Sequence, residues 1–238
     1  MSYRCSRARR EFENQLNLAD QELAPLYKYV KNKGGAPRLL AAYYVFAFSQ
    51  LEVYIKNFVE DSLNAFNAAA PSLDKWPDLM LGYLLHKGEK LATDYRRYGY
   101  DEDEGAIIKK VACSARTIAS WSTGTAGLAA AEAVDFLDKK KYPSPKNLPQ
   151  LFKRLGIDRI WVIIGKAGRM DGELILRSLN DLRTDIAHEG KIPPGFSLSD
   201  FRNRLDQMRR LVAAIDRGVS KHFCTKAMTR STWNVAMS

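Results

Sequence analysis

Apolar residues recur at helical spacing along most of the chain, and the alternation expected of strands is almost absent. Phe12, Leu16, Ala19, Leu23 and Val30 predict a helix over residues 11–33, with Pro25 placed to kink or divide it. Gly34, Gly35 and Ala36 then break the pattern, and Pro37 suits the first turn of the next helix. That helix, over 37–67, carries the broadest apolar face of the chain. Leu40, Tyr44, Ala47, Leu51, Ile55 and Phe58 set it in a central, buried position. Its aromatics Tyr43, Tyr44, Phe46, Phe48, Tyr54 and Phe58 read as core, because base-stacking aromatics stand exposed among Arg and Lys.

Further helices are expected over 74–95, interrupted near Pro77, and over 102–121, with a charged loop at 96–104 between them. A joint at 122–127 and a Pro-rich connector at 139–147 follow. Asn147 to Gly156 reads as a short helix, with Asn147 as its N-cap and Gly156 closing it. Residues 158–164 have strand propensity, but one isolated strand has nothing to pair with, so a short helix or packed connection is expected. Residues 172–189 form an amphipathic helix with Ile175, Leu179, Leu182 and Ile186 as its stripe and Gly190 as its stop. Ser197 and Asp200 resemble a capping signal for a last helix running to about Arg217. Beyond residue 221 periodicity is lost, and the segment reads as a mobile tail. The expected fold is all-α, an up-and-down helical bundle with an extra N-terminal helix. Its expected divisions are 1–36 (N-terminal helix and connector), 37–217 (the main helical domain) and 218–238 (the tail).

Charge adds a partner class. Lys and Arg number 37 against 27 Asp and Glu, a net +10 with pI near 9.5, which favours nucleic acid or another polyanion. A solvated basic surface is the plain alternative. Basic clusters stand at Arg4 to Arg10, Lys139 to Lys141, Lys153 with Arg154, and on the last helix at Arg202, Arg204, Arg209 and Arg210. Lys191, Arg202 and Arg209 are the candidate contacts to an RNA backbone, a solvated face being the competing reading. Cys5, Cys113 and Cys224 are odd in number and far apart, which fits a reducing, cytoplasmic setting. No apolar core follows the basic N-terminus, and the greasiest run, Leu39 to Phe48, is too short to span a bilayer. A soluble protein without a membrane partner is expected.

The candidate chemistry lies at the end of the 172–189 helix. Arg183 and His188 put a permanent cation and a group that titrates near neutrality within about one and a half turns of each other. Cleaving a phosphodiester without metal needs such a pair, a fixed cation for the phosphorane and a proton donor and acceptor. Arg supplies a planar donor fork matched to phosphate. Asp185 is placed to fix the ring tautomer or hold its charge, and Thr184 lies on the same side. Five residues on an ideal helix rotate by about 140°, so one straight helix does not aim both side chains at one atom. Either the last turn loosens before Gly190, or a second copy of the helix completes the site across a two-fold axis. The competing reading makes both residues ordinary helix-end groups. His86 and His222 lack partners at metal-ligand spacing, and Gly165 to Gly168 lacks a phosphate-loop pattern. No metal and no cofactor is expected.

Asn180-Asp-Leu-Arg-Thr-Asp-Ile-Ala-His-Glu-Gly190 resembles the R-x4-6-H signature of the HEPN superfamily, and in particular the Arg-Asn-x-Ile-Ala-His-Gly signature of the RiboL-PSP-HEPN group. Asn147 to Gly156 is similar to the short helix that often precedes it, and Phe48 to Lys56 is similar to an early helix with Glu52 in a matching setting. The N-terminal helix stands outside the resemblance as traced on these residues. The resemblance implies a HEPN-like bundle and a homodimer whose signature helices lie side by side. It also implies metal-independent RNA cleavage by the 2′-hydroxyl, leaving a 2′,3′-cyclic phosphate. Arg183 would stabilise the transferring phosphoryl charge and His188 would act as general acid or base, with Thr184, Asp185 and Glu52 in support. Thr184 departs from the Asn, Asp or His usual in the family. Gly190 stands where another HEPN branch has a tyrosine, so modification of such a tyrosine by an antitoxin is not supported. The expected function is an endoribonuclease, as a toxin or defence effector, with RNA, a second copy and an antitoxin or regulatory protein as partners. The alternatives are a catalytically weak HEPN module that binds RNA or a protein, and a helical scaffold.

Overall fold

The computed structural model describes residues 3–32, 37–69, 75–84, 86, 133–137, 143–190, 192–194 and 196–238. The helices expected over 102–121 and beyond residue 86, the joint at 122–127, Cys113 and the Lys139 to Lys141 cluster lie outside the described residues. The elements are α1 (Arg7–Asn32), α2 (Pro37–Ala69), α3 (Ala133–Phe136), α4 (Asn147–Arg154), α5 (Ile160–Gly168), α6 (Gly172–Glu189), α7 (Leu198–Lys226) and α8 (Arg230–Ala236). A helical turn also covers 78–84. No strand occurs among the described residues, and the fold is all-α.

Four long helices alternate in direction. Along α1 and α2, the Ala8 N–H donates to Asp61 (2.8 Å) while Phe12 meets Tyr54 (5.8 Å between centroids), an antiparallel register. Along α1 and α7, Ser6 meets Asp216 and Asp20 meets Arg209, again antiparallel. Along α6 and α7, Arg204 donates to Ser178 (2.7 Å), and a Cβ placed on Gly172 would lie 3.6 Å from Leu211. α1 and α6 therefore run one way and α2 and α7 the other, the up-and-down arrangement expected. α5 continues the line of α6 along α7, because a Cβ on Gly168 would meet Ala214 and one on Gly218 would meet Ile163.

Local sequence explains the boundaries. Asp171 caps α6 by accepting from the Leu174 N–H (2.9 Å), with Glu173 in the first turn favourable to the macrodipole. Ser197 and Asp200 form a reciprocal capping box on α7, as their spacing predicts. Residues 158–164 enter a helix rather than a strand.

Other expectations need correction. Pro25 lies inside a continuous α1, which also begins at Arg7, earlier than expected. Phe12, Leu16 and Leu23 are buried against the bundle, and this packing holds the helix across the lost hydrogen bond. α4 takes Asn147 as its first residue, with Lys146 and not Asn147 at the N-cap position, and the Ser144 hydroxyl accepts from the Asn147 N–H (3.0 Å). In α6 the buried stripe includes Leu176, while Ile175 stands at its margin. α7 continues past Arg217 to Lys226, and the segment read as a mobile tail forms α8. Trp233 of α8 is fully buried, its indole N–H donating to the Arg4 carbonyl (2.9 Å), and α8 packs on α2. No helix among the described residues is long and apolar enough to cross a membrane.

The central helix is buried as its pattern predicts except at Phe46, which that pattern places in the core. Tyr44, Phe48, Leu51, Tyr54, Ile55 and Phe58 are buried, whereas Phe46 turns to the outer face. Two buried phenols tie α2 to its neighbours: Tyr44 donates to the Leu179 carbonyl (2.8 Å) and Tyr54 to the Val212 carbonyl (3.3 Å). Burial raises both phenol pKa values, so both groups remain donors.

Candidate functional site

Leu179, Leu182 and Ile186 are buried and fix the rotation of α6. The Tyr44 bond to Leu179 anchors the helix one turn before Arg183. With the rotation set, Arg183 emerges half-buried at the edge of the core, so its stem packs while its guanidinium reaches out. His188 is exposed in the final turn. Among the described residues neither side chain has a hydrogen-bond or ion-pair partner.

The last turn does not loosen. α6 stays α-helical to Glu189, and the Gly190 N–H closes a regular bond to the Ile186 carbonyl at 2.8 Å. Gly190 then takes φ 68, ψ 11, a left-handed conformation that costs a residue with a Cβ about 1–2 kcal/mol. A Cβ there would meet nothing within 4 Å, so glycine is needed for its backbone angle and not for space. The roughly 140° between Arg183 and His188 is thus retained within one chain. A substrate atom touching both groups would need a second surface beside α6.

The supporting residues divide. Thr184 is half-buried and its hydroxyl donates to the Asn180 carbonyl at 2.8 Å, which commits that proton to the helix backbone. Asp185 is exposed on the turn before His188, with no hydrogen bond to the imidazole among the described residues. Glu52 is not brought to the pair. It forms an ion pair with Lys56 (3.0 Å), one turn on along α2. With Tyr44 level with Leu179 on antiparallel helices, the level of Arg183 falls near Leu40, and Glu52 stands about 18 Å further along the axis.

The basic residues divide in the same way. Arg209 is a structural cation, paired with Asp20 of α1 and with Asp206 (3.2 Å). Arg202 is exposed on the first turns of α7, at the same end of the bundle as His188. Lys191 lies outside the described residues. The N-terminal cluster is committed inward: Arg7 pairs with Asp61 (3.0 Å), Arg9 with Glu13 (2.7 Å), and Arg10 donates to the Cys5 and Met237 carbonyls (2.8 Å each). Arg38, which the sequence pattern did not single out, is exposed in the first turn of α2. By the same register it lies level with the last turns of α6, so it adds a cation to the Arg183–His188 end. Only the antiparallel pairing of α2 with α6 makes that visible.

The RiboL-PSP-HEPN family model matches residues 4–221. The match begins before α1, so the N-terminal helix belongs to the family domain and is not an addition to it. No curated protein and no solved structure matches the chain. The family is one of nuclease-like, RNA-related modules. With an all-α up-and-down bundle that presents Arg183 and His188 on one helix end, and a family match over nearly its whole length, this chain belongs to the RiboL-PSP-HEPN family of the HEPN superfamily.

Proposed function

We propose that this protein is a metal-independent endoribonuclease whose site is completed by a second copy of α6. The observation that carries the reading is the state of Arg183 and His188, both without a hydrogen-bond or ion-pair partner among the described residues and both at the exposed end of α6. In this reading the 2′-oxygen attacks phosphorus and the bond from phosphorus to the 5′-oxygen breaks, leaving a 2′,3′-cyclic phosphate and a 5′-hydroxyl. His188 takes the 2′-hydroxyl proton or delivers one to the leaving 5′-oxygen. The Arg183 fork holds the non-bridging oxygens as their charge grows. Arg38 and Arg202 extend the cationic surface along which a strand would lie, and Asp185 holds the imidazolium as it forms. Residues 1–36 act with the bundle as one unit in this proposal, since α1 supplies contacts to α2 and α7. A role as toxin or defence effector, in the cytoplasm and under control of an antitoxin or regulatory protein, fits such an activity.

The test is cleavage of total RNA and tRNA in EDTA by wild type, Arg183→Lys and His188→Ala. Wild type is expected to leave 2′,3′-cyclic phosphate ends. His188→Ala is expected to lose about 10²–10⁴-fold in rate. Arg183→Lys should lose most activity, because an ammonium does not reproduce the fork. Cleavage by His188→Ala at the wild-type rate would remove His188 from the mechanism. A second reading is favoured by one observation, the Thr184 hydroxyl turned to Asn180 where the family has a stronger hydrogen-bonding side chain. It makes the protein an RNA-binding module of weak activity, recognised by salt-sensitive RNA binding without cleavage.

A further inference from the structure

A hollow of about 370 Å³ lies between α5 and α7, at the opposite end of the bundle from His188. Its size falls within the range of small-ligand sites. Ile163 and Ala167 of α5 and Gly218 of α7 form an apolar floor. A Cβ on Gly218 would stand 2.6 Å from the Ile163 Cγ2, so the bare glycine is what lets the two helices meet there. Around this floor stand Lys166, Arg217, Lys221 and Lys226, and no carboxylate among the described residues lines the hollow.

Several cations elsewhere in the fold are paired. Lys56 has Glu52 and Lys153 has Asp158, each at 3.0 Å. Among the described residues the four cations of the hollow have no ion pair, and their one side-chain hydrogen bond is a long one from Arg217 to the Ala167 carbonyl at 3.5 Å. Like charges gathered at a concave, partly apolar wall repel one another and focus a positive potential into the space between them. His222 lines the same hollow, half-buried. Burial and then the Lys226 charge push its pKa down, which leaves a neutral imidazole with one donor and one acceptor.

We propose that this hollow binds a nucleotide, its terminal phosphates held by Lys166, Arg217, Lys221 and Lys226 and its base or sugar set against the Ile163–Ala167 floor. The cations alone would suit any small anion, but the apolar floor favours a ligand with a flat, weakly polar part. A duplex backbone, with its charge spread evenly along a rod, does not enter a hollow closed by a helix seam. A free nucleoside triphosphate and the 5′-triphosphate end of an RNA share the required chemistry. The site lies about 40 Å along the α7 axis from the level of His188 and does not depend on the nuclease reading.

The experiment is calorimetric titration of the full chain in EDTA at low salt. The probes are ATP, AMP, pyrophosphate and a short RNA carrying either a 5′-triphosphate or a 5′-hydroxyl. Saturable ATP binding is expected, weaker for AMP and for pyrophosphate. It should fall about tenfold in Lys166→Ala and in Lys221→Ala, and be unchanged in His188→Ala and Arg183→Ala. Both lysines are exposed, and unchanged thermal melts of their variants check the fold. A stronger response to the 5′-triphosphate RNA than to ATP, lost in Lys221→Ala, assigns the RNA end as the source; the reverse order assigns the free nucleotide. The proposal is overturned by absence of saturable binding of either triphosphate. It is equally overturned by pyrophosphate binding as tightly as ATP, or by an equal loss in Arg183→Ala, which would place the ligand at the other end.

Discussion

Asp216 is buried in α7, and its carboxylate accepts from both the backbone N–H (3.0 Å) and the hydroxyl of Ser6, just ahead of α1. Burial raises its pKa, against the opposing pull of the Ser6 hydrogen bonds and the Arg9 charge. A carboxyl whose folded pKa lies above its unfolded value binds its proton more tightly in the folded state. Its contribution is therefore complete below the ordinary carboxylate range and is lost as pH rises through the raised value. Asp216→Asn removes this one titration. Urea melts of both proteins should show the stability difference moving in favour of the variant between pH 4 and pH 7. A difference that stays constant, or moves the other way, would mean that Asp216 is at least as stable ionised when folded as when unfolded. None of this could be read from the sequence, because Ser6 and Asp216 stand at opposite ends of the chain. The pairing of Arg209 with Asp20 was hidden for the same reason, Asp20 being on α1. The placement of Arg183 and His188 at one helix end was readable because their spacing is local to one helix.

At the scale of the element, α6 is the part of the fold that sequence specifies most completely. The capping side chain of Asp171, the periodic stripe and the left-handed Gly190 all lie within or beside it, and the observed bounds are those expected. The capping box of α7 was readable on the same grounds, while its far end was not. Ser220 and Phe223 are buried by contact with other helices, which local periodicity does not report. Pro25 shows the reverse case, a local breaking signal overruled by packing. Gly190 links element to site, because it ends the helix directly after His188. Gly190→Ala should cost about 1 kcal/mol and lower Tm by roughly 2–4 °C, with Gly190→Asn losing less. The same Ala variant should lose more cleavage activity than its stability accounts for, since fraying begins at the turn that holds His188. An unchanged Tm and unchanged cleavage would show that the left-handed cap does not hold the last turn.

The proposed composite site is a matter of the whole molecule. α6 remains regular to Glu189, so the divergence of Arg183 and His188 is not relieved inside one protomer. If two copies of α6 lie across a two-fold axis, Arg183 of one can face the same phosphate as His188 of the other. This arrangement makes a prediction that no single-chain site makes. Arg183→Ala and His188→Ala, each inactive alone, should regain activity when mixed under conditions that exchange subunits. A mixed dimer would hold one intact site, built from the unaltered Arg183 of one subunit and the unaltered His188 of the other, beside one site lacking both. Random exchange makes about half of the dimers mixed, with one of two sites intact in each, so recovery should approach about a quarter of the wild-type rate. Native mass spectrometry of differently tagged subunits can establish that mixed dimers have formed. Their formation without recovery would exclude a site that takes one arginine and one histidine from opposite subunits. A protein that stays monomeric at micromolar concentration while cleaving RNA would exclude the composite cleft altogether, leaving the bases of a flexible strand to bridge two groups on one helix end.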